Sequence, residues 1–348
     1  MALLGNDERV LAENLLRAGQ GGYFELPFWP DAVQLASDVN VGDSVLPVGA
    51  QLAGRGFAAG ESLMLIDGLR SSMLLVFDVD EVAGEITLDA PLAQAWPAGA
   101  RIAPAGFARL QDKTSLGYRS DAVAVGTLRF DFDGEWIWAP AVEDIVYRGY
   151  SVLTQQTNWT NEPQAEHSRV LAEVDGQVGR RLVTDLAGVE RVSRGHSWLL
   201  AGREEIAAFR GFLAARMGRL VPFWLPSLQD DVQLVAGASG AAVALQVANR
   251  GLWRLNGTSA AIGRRDLRIV LFDGTVFYRR VTVAAEVSAD VEELTIDAAL
   301  GVAIAPEDVR QISFMRLARL ASDAVEIAYR TDLLAECTLA LASVRDLT

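Results

Sequence analysis

The chain has 348 residues, 31 Lys plus Arg against 45 Asp plus Glu, a formal charge of −14 and a single cysteine. That length exceeds one ordinary domain and points to two or three β-rich modules, each able to bury a core. The charge excludes a nucleic-acid groove, which needs clustered cations; a lone Cys337 excludes an intrachain disulfide framework, and the lack of a Cys/His cluster excludes a structural zinc site.

Residues 1–19 (MALLGNDERVLAENLLRAG) carry acidic and polar side chains where a signal peptide has a basic segment and an apolar run, so export is not expected. No apolar stretch reaches the ~20 residues of a membrane span. A helix is expected over 8–19. From there self-similarity organises the chain. PFWPDAVQL (27–35) recurs as PFWLPSLQDDVQL (222–234), LMLIDG (63–68) as IVLFDG (269–274) and ITLDAPL (86–92) as LTIDAAL (294–300). RIAP (101–104) recurs as AIAP (303–306) and SDAVAV (120–125) as SDAVEI (322–327), while Phe107 with Arg109-Leu110 parallels Phe314 with Arg316-Leu317. The preserved order marks an internal duplication. Inside each copy, short Val/Leu/Ile/Phe runs broken by Gly, Asp and Pro roughly every ten residues predict a small antiparallel barrel or sandwich, with hairpin turns at Asp67-Gly68 and Asp273-Gly274.

Residues 121–133 alternate as a strand, with Val123 and Val125 in one phase, Leu128, Phe130 and Phe132 in the other, and Gly126 at the switch. Residues 134–202 have no counterpart; they read as further strands, with a hairpin about Asp175-Gly176 and an exposed polar loop over 154–167. Over 203–218 an amphipathic helix sets Ile206, Phe209, Leu213 and Met217 on one side, with Phe212 alongside. Arg203, Glu204, Glu205, Arg210 and Arg216 take the other side, and Gly218 is the C-cap. The organisation expected is an N-terminal helix and arm (1–27), a first β module (28–112) and a central β domain (113–225) carrying the helix at 203–217. A second β module (226–321) is inserted there, and terminal strands (322–348) complete the central domain.

The residues for catalysis do not assemble. There is no GK[ST] loop, no placed G-x-G-x-x-G and no G-x-S-x-G. His196 and Ser197 are adjacent on a strand and point to opposite faces, and His167 sits in the polar loop. Cys337 reads as a small buried hydrophobe. The carboxylate pairs Asp131/Asp133 and Asp78/Asp80 share a face but lie at strand ends, where acidic residues mark turns. No enzyme, metal or cofactor is expected. Trp136 and Trp138 share a face in EWIWAP; with Trp96, Trp159 and Trp253 they are candidates for packing or subunit anchors ahead of sugar stacking.

The most specific stretch is ARMGRLVPFWLPSLQDDVQL (215–234), in which a helix exits through basic residues into an aromatic-proline turn. It resembles the distal tail and tail-tip (baseplate hub-adaptor) proteins of long-tailed bacteriophages, with Arg216, Gly218, Arg219, Phe223 and Trp224 as the matching residues and about 140–232 as the span. The resemblance implies a mainly β chain: a tail-tube-like β sandwich with a flanking α-helix, plus the two duplicated small modules as decorations. It also implies a structural virion protein, made in the host cytoplasm, that closes as a cyclic homo-oligomer with six-fold symmetry favoured over a three-fold hub. Its partners would be the tail tube protein and the tail hub or tip proteins, and DNA would pass through the channel without specific binding. A carbohydrate-binding host-recognition module is the alternative from another class.

Overall fold

The computed structural model describes the chain apart from residues 1, 5, 20–21, 69, 112–115, 121–122, 133–144, 162–163, 178, 187, 189, 257–263 and 345–348. It is mainly β, built of antiparallel sheets, with two longer helices at Asn6–Gly19 and Arg203–Ala214. The chain groups into two compact units. One comprises Met1–Pro140, Ala201–Ala207 and Tyr329–Leu334; the other comprises Ala141–Leu200, Ala208–Ala328 and Ala335–Thr348. Residues 113–140 thus group with the first β module, and 226–328 with 141–200, so the boundaries expected at 112 and 225 do not part the chain.

In the first unit an eight-stranded sheet runs Phe130–Phe132, Arg101–Leu110, Ser62–Asp67, Arg70–Asp80, Glu85–Leu88, Val45–Pro47, with Tyr23–Pro27 and Val33–Gln34 also paired to Arg101–Leu110. In the second unit the same succession reappears as Leu334–Ser343, Val309–Leu320, Asp266–Leu271, Val276–Glu286, Val291–Ile296, Ala244–Ala248, with Phe223–Pro226 paired to Val309–Leu320. The cause is the period-2 pattern of each copy, which sends alternate residues into one core. Leu46, Leu63, Leu65, Val76, Ile86 and Ile102 are buried in the first; Leu245, Leu267, Ile269, Val281, Leu294 and Ile312 take their places in the second.

The hydrogen-bond register makes the duplication exact where the sequence left it loose. Leu65 lies opposite Ile102, and Ile269 opposite Ile312. Leu46 lies opposite Ile86, and Leu245 opposite Leu294. Each long central strand carries one bulge at the same place: Phe77 between Val76 and Asp78, and Thr282 between Val281 and Val283. The extra residue stands out of the ladder, sharpens the local twist and faces solvent.

The same register corrects several matches expected from the sequence. Pro27 pairs with Ala105 and Pro226 with Met315, the residues that Ser62 and Asp266 also face, so FELP (24–27) corresponds to FWLP (223–226). The two PFW triplets are not equivalent. Trp96 corresponds to Ile304, since each makes the antiparallel bridge closing its module, with Val39 and with Ala238; RIAP and AIAP therefore occupy different places. Ala108-Arg109-Leu110 answers to Ala318-Arg319-Leu320, because Phe130 faces Leu110 as Leu341 faces Leu320. A helix precedes each copy.

Other elements follow or depart from expectation for local reasons. Turns close at Asp67-Gly68 and Asp273-Gly274, and the hairpin Leu171–Val174 with Leu182–Asp185 has Asp175-Gly176 in its loop. The strand expected over 121–133 is two, Val123–Gly126 and Phe130–Phe132, in different sheets. Gln164–Ser168, expected as loop, pairs with the 191–195 segment. The helix at Arg203–Ala214 ends before Met217, which is exposed with φ 48°, so Met217 leaves the buried stripe formed by Ile206, Phe209, Phe212 and Leu213. Arg203, Arg210 and Arg216, expected on a solvated face, are buried.

Candidate functional site

The helix exit is built from backbone geometry. Met217 and Gly218 take consecutive left-handed conformations, φ 48° and 64°, and Val221 N–H then donates to Arg216 O at 3.0 Å, closing the helix end. A Cβ on Gly218 would lie 2.6 Å from Asp323 Oδ1. Asp323 occupies that space because it accepts from Arg219 three times, from the backbone N–H at 2.8 Å, Nε at 3.0 Å and Nη2 at 2.8 Å. The guanidinium and its own backbone N–H hold the Asp323 carboxyl below the usual carboxylate range. Arg216 points the other way: its Nε donates to Phe212 O at 3.2 Å and its guanidinium stacks 4.6 Å from the Phe212 ring.

Phe223 and Trp224 follow on a strand that is buried throughout. Phe223 meets Phe212 edge-on at 5.2 Å; Trp224 meets Tyr147 at 5.4 Å and donates from Nε1 to Tyr147 O at 2.8 Å. Both rings are interior side chains of the second unit, so they brace the fold and present nothing to a partner. The helix-exit motif is thereby one structural device: a reversed backbone, a clamped loop and an aromatic strand. Trp136 and Trp138, the other anchor candidates, lie outside the described residues, as does Asp133.

The remaining chemical candidates are placed as follows. His196 is buried, with neither ring nitrogen hydrogen-bonded among the described residues, and burial followed by the Arg194 charge pushes its pKa down to about 4. Ser197 faces away and contacts Thr338 Oγ1 at 2.9 Å, so the two cannot exchange a proton. His167 is exposed and its Nδ1 lies 2.6 Å from Glu190. Burial pushes the Cys337 thiol up to about 12, which leaves it protonated and unreactive. Asp80 accepts from the N–H groups of Val82 and Ala83 at 2.9 and 2.8 Å, a turn cap, and Asp131 accepts from Gln111 at 2.9 Å. Among the described residues no group of three His, Cys, Asp or Glu is arranged to hold a metal ion, and no helix is long and apolar enough to cross a membrane.

Two polar constellations went unread in the sequence. In the first unit Arg203 ion-pairs with buried Asp31 and donates to the carbonyls of Pro30, Asp332 and Gly54 at 3.1, 2.8 and 3.2 Å. Arg55 joins it, bound to Ala32 O and Asp332. In the second unit a cavity of about 120 Å³ opens among Arg194, Arg264, Arg316, Asp231, Ser227 and His167. No signal of spacing announces either one, since their members come from strands far apart in the chain. No family model matches this chain, and no curated protein does either. The arrangement thus has to be read from its own chemistry. It offers a braced β scaffold, a buried imidazole and an arginine-lined cavity.

Proposed function

We propose that this chain is a structural component of a bacteriophage tail tip, closing as a ring that continues the tail tube toward the host-facing end and leaves a channel for DNA. The observation that carries the reading is the duplication: the β module recurs in one strand order and one register, with a helix ahead of each copy. Two like modules in one polypeptide give each subunit two similar faces, and repeated faces are what a closed cyclic assembly needs. The helix-exit motif of Arg216, Gly218, Arg219, Phe223 and Trp224 supports the likeness to distal tail and tip proteins as a bracing element of the β domain. A net charge of −14 suits a wall past which phosphate must slide.

Six-fold closure is the favoured arrangement, and a trimeric hub, whose three copies already present six related modules, is the alternative. The tail tube protein and the hub or tip proteins are the partners this reading assigns. The mass of the purified assembly, with the rotational symmetry of its electron-microscope class averages, tests it. A closed ring of three or six chains supports the proposal; a monomer at every concentration and salt condition removes it. A glycan array tests the carbohydrate-binding alternative, for which Trp29 and Trp159 are the exposed indoles among the described residues.

A further inference from the structure

The two β modules share a register but not a covering. In the second unit a small hairpin, Val146–Tyr147 with Tyr150–Ser151, closes the sheet face turned away from the module core. Its Tyr147 packs, with Val152, on Trp224, Met315 and Leu317, and donates from its hydroxyl to Asp266 at 2.9 Å. In the first module the same rungs carry Glu25 for Trp224, Ala105 for Met315, Phe107 for Leu317 and Leu75 for Arg280. Here the face is bare: Phe107 is 50% exposed and Leu75 46%, with Tyr23 at 60% and Phe77 at 65%. Phe77 and Phe107 each stand two residues beyond the rung that joins Leu75, Ser62 and Ala105, and Tyr23 is diagonal to Phe107.

The second unit holds another hairpin, Leu171–Val174 with Leu182–Asp185, which forms a two-stranded sheet by itself. Its faces differ in charge. One carries Glu173 and Asp185, ion-paired with Arg181 and Arg169. The other carries Ala172, Val174, Leu182 and Thr184, all uncharged, with Val174 and Leu182 exposed and paired opposite each other. Two strands alone are marginal in water and gain stability by packing on a further element.

We propose that the bare face of the first module is a docking site for the uncharged face of the Leu171–Asp185 hairpin of a second copy of this chain. The second module shows the form of the contact, since its equivalent face takes a two-stranded hairpin as cover. The exposed parts of Tyr23, Leu75, Phe77 and Phe107 come to about 400 Å² of apolar surface, near the ~450 Å² that the apolar share of a standard interface asks of one partner. Face and hairpin are different surfaces, so the contact is heterologous and repeats head to tail until it closes. This contact rests on the ring reading proposed above and supplies the surfaces that make it.

The full-length protein, Phe107→Asp and Leu182→Asp are followed by sedimentation velocity over a wide range of concentration, singly and as an equal mixture of the two variants. Each variant alone is expected to lose the assembly and run as a monomer. The mixture is expected to form dimers and nothing larger, because one chain keeps an intact hairpin and the other an intact face. Phe272→Asp, an exposed aromatic at the Asp273-Gly274 turn, is expected to keep the parent assembly. If either variant does not fold by circular dichroism, Phe77→Asp or Val174→Asp takes its place. An assembly that survives both substitutions, or a mixture that stays monomeric, overturns the contact and leaves the ring reading standing. A parent that is monomeric throughout removes both, whereas open polymers of the parent with dimers in the mixture uphold the contact and remove the closed ring.

Discussion

His196 offers the sharpest quantitative test of the second unit. Its imidazole is buried on the inner face of a strand, its ring 5.8 Å from that of Trp198, with Arg194 two residues away on the same face. Neutral when folded, with a pKa near 4 against an ordinary 6.5, it takes up a proton when the chain unfolds. The unfolded state therefore binds more protons between those two values, so stability is complete above pH 6.5 and falls as pH drops toward 4. At 1.36 kcal/mol per pKa unit the full loss is about 3 kcal/mol, of which about 2 kcal/mol accrues between pH 7 and pH 5. His196→Phe keeps a ring and removes the titration. Urea unfolding of both proteins at pH 7, 6 and 5 is expected to show the variant gaining about 2 kcal/mol on the parent over that range. Parallel curves for the two would refute the claim that this imidazole is buried without a partner.

Four further outcomes follow from the contacts described. Gly68→Ala, at φ 61° in open space, is expected to cost about 1 kcal/mol, whereas Gly218→Ala must also move Asp323 and is expected to cost about 2–3 kcal/mol; equal losses in urea unfolding would contradict the crowding argument. Asp31→Ala leaves Arg203 buried and uncompensated and should destabilise by about 3–5 kcal/mol, read as a lower unfolding midpoint. Trp224→Ala removes a buried indole and should cost about 3–5 kcal/mol; a change below 1 kcal/mol, as for an exposed residue, would place the ring outside the core. Cys337 is expected to resist a thiol reagent at pH 8 until denaturant is added, and rapid labelling of the native chain would show the thiol to be accessible.

What was legible in the sequence was the part written in local pattern. Alternating Leu63 and Leu65, or Leu267 and Ile269, announce strands because one face of each must be buried. The turns at Asp67-Gly68 and Asp273-Gly274 are legible because glycine alone enters those conformations readily. Register was harder, since matching letters reward chance identities such as the two PFW triplets, while hydrogen bonds fix Phe24 on Phe223. FELP and FWLP differ at only one position, yet the shared Pro-Phe-Trp lies four residues out of register. The buried arginines of the second helix are hidden from the sequence for a different reason. Periodicity assigns charge to the outside, and only the partners, Asp31 for Arg203 and the Phe212 ring for Arg216, explain why these went in. The cavity around Arg194 has no local signature because it gathers residues from six separate stretches of chain.

The paired bulges at Phe77 and Thr282 have a practical consequence. Both copies interrupt the same strand at the same rung, but one puts an aromatic ring into solvent there and the other a hydroxyl. Core positions such as Leu65, Ile86 and Ile102 each possess a counterpart, Ile269, Leu294 and Ile312, against which they can be exchanged. Transplanting 62–88 in place of 266–296, or the reverse, would ask the molecule itself which differences between its halves are tolerated ornament and which are required.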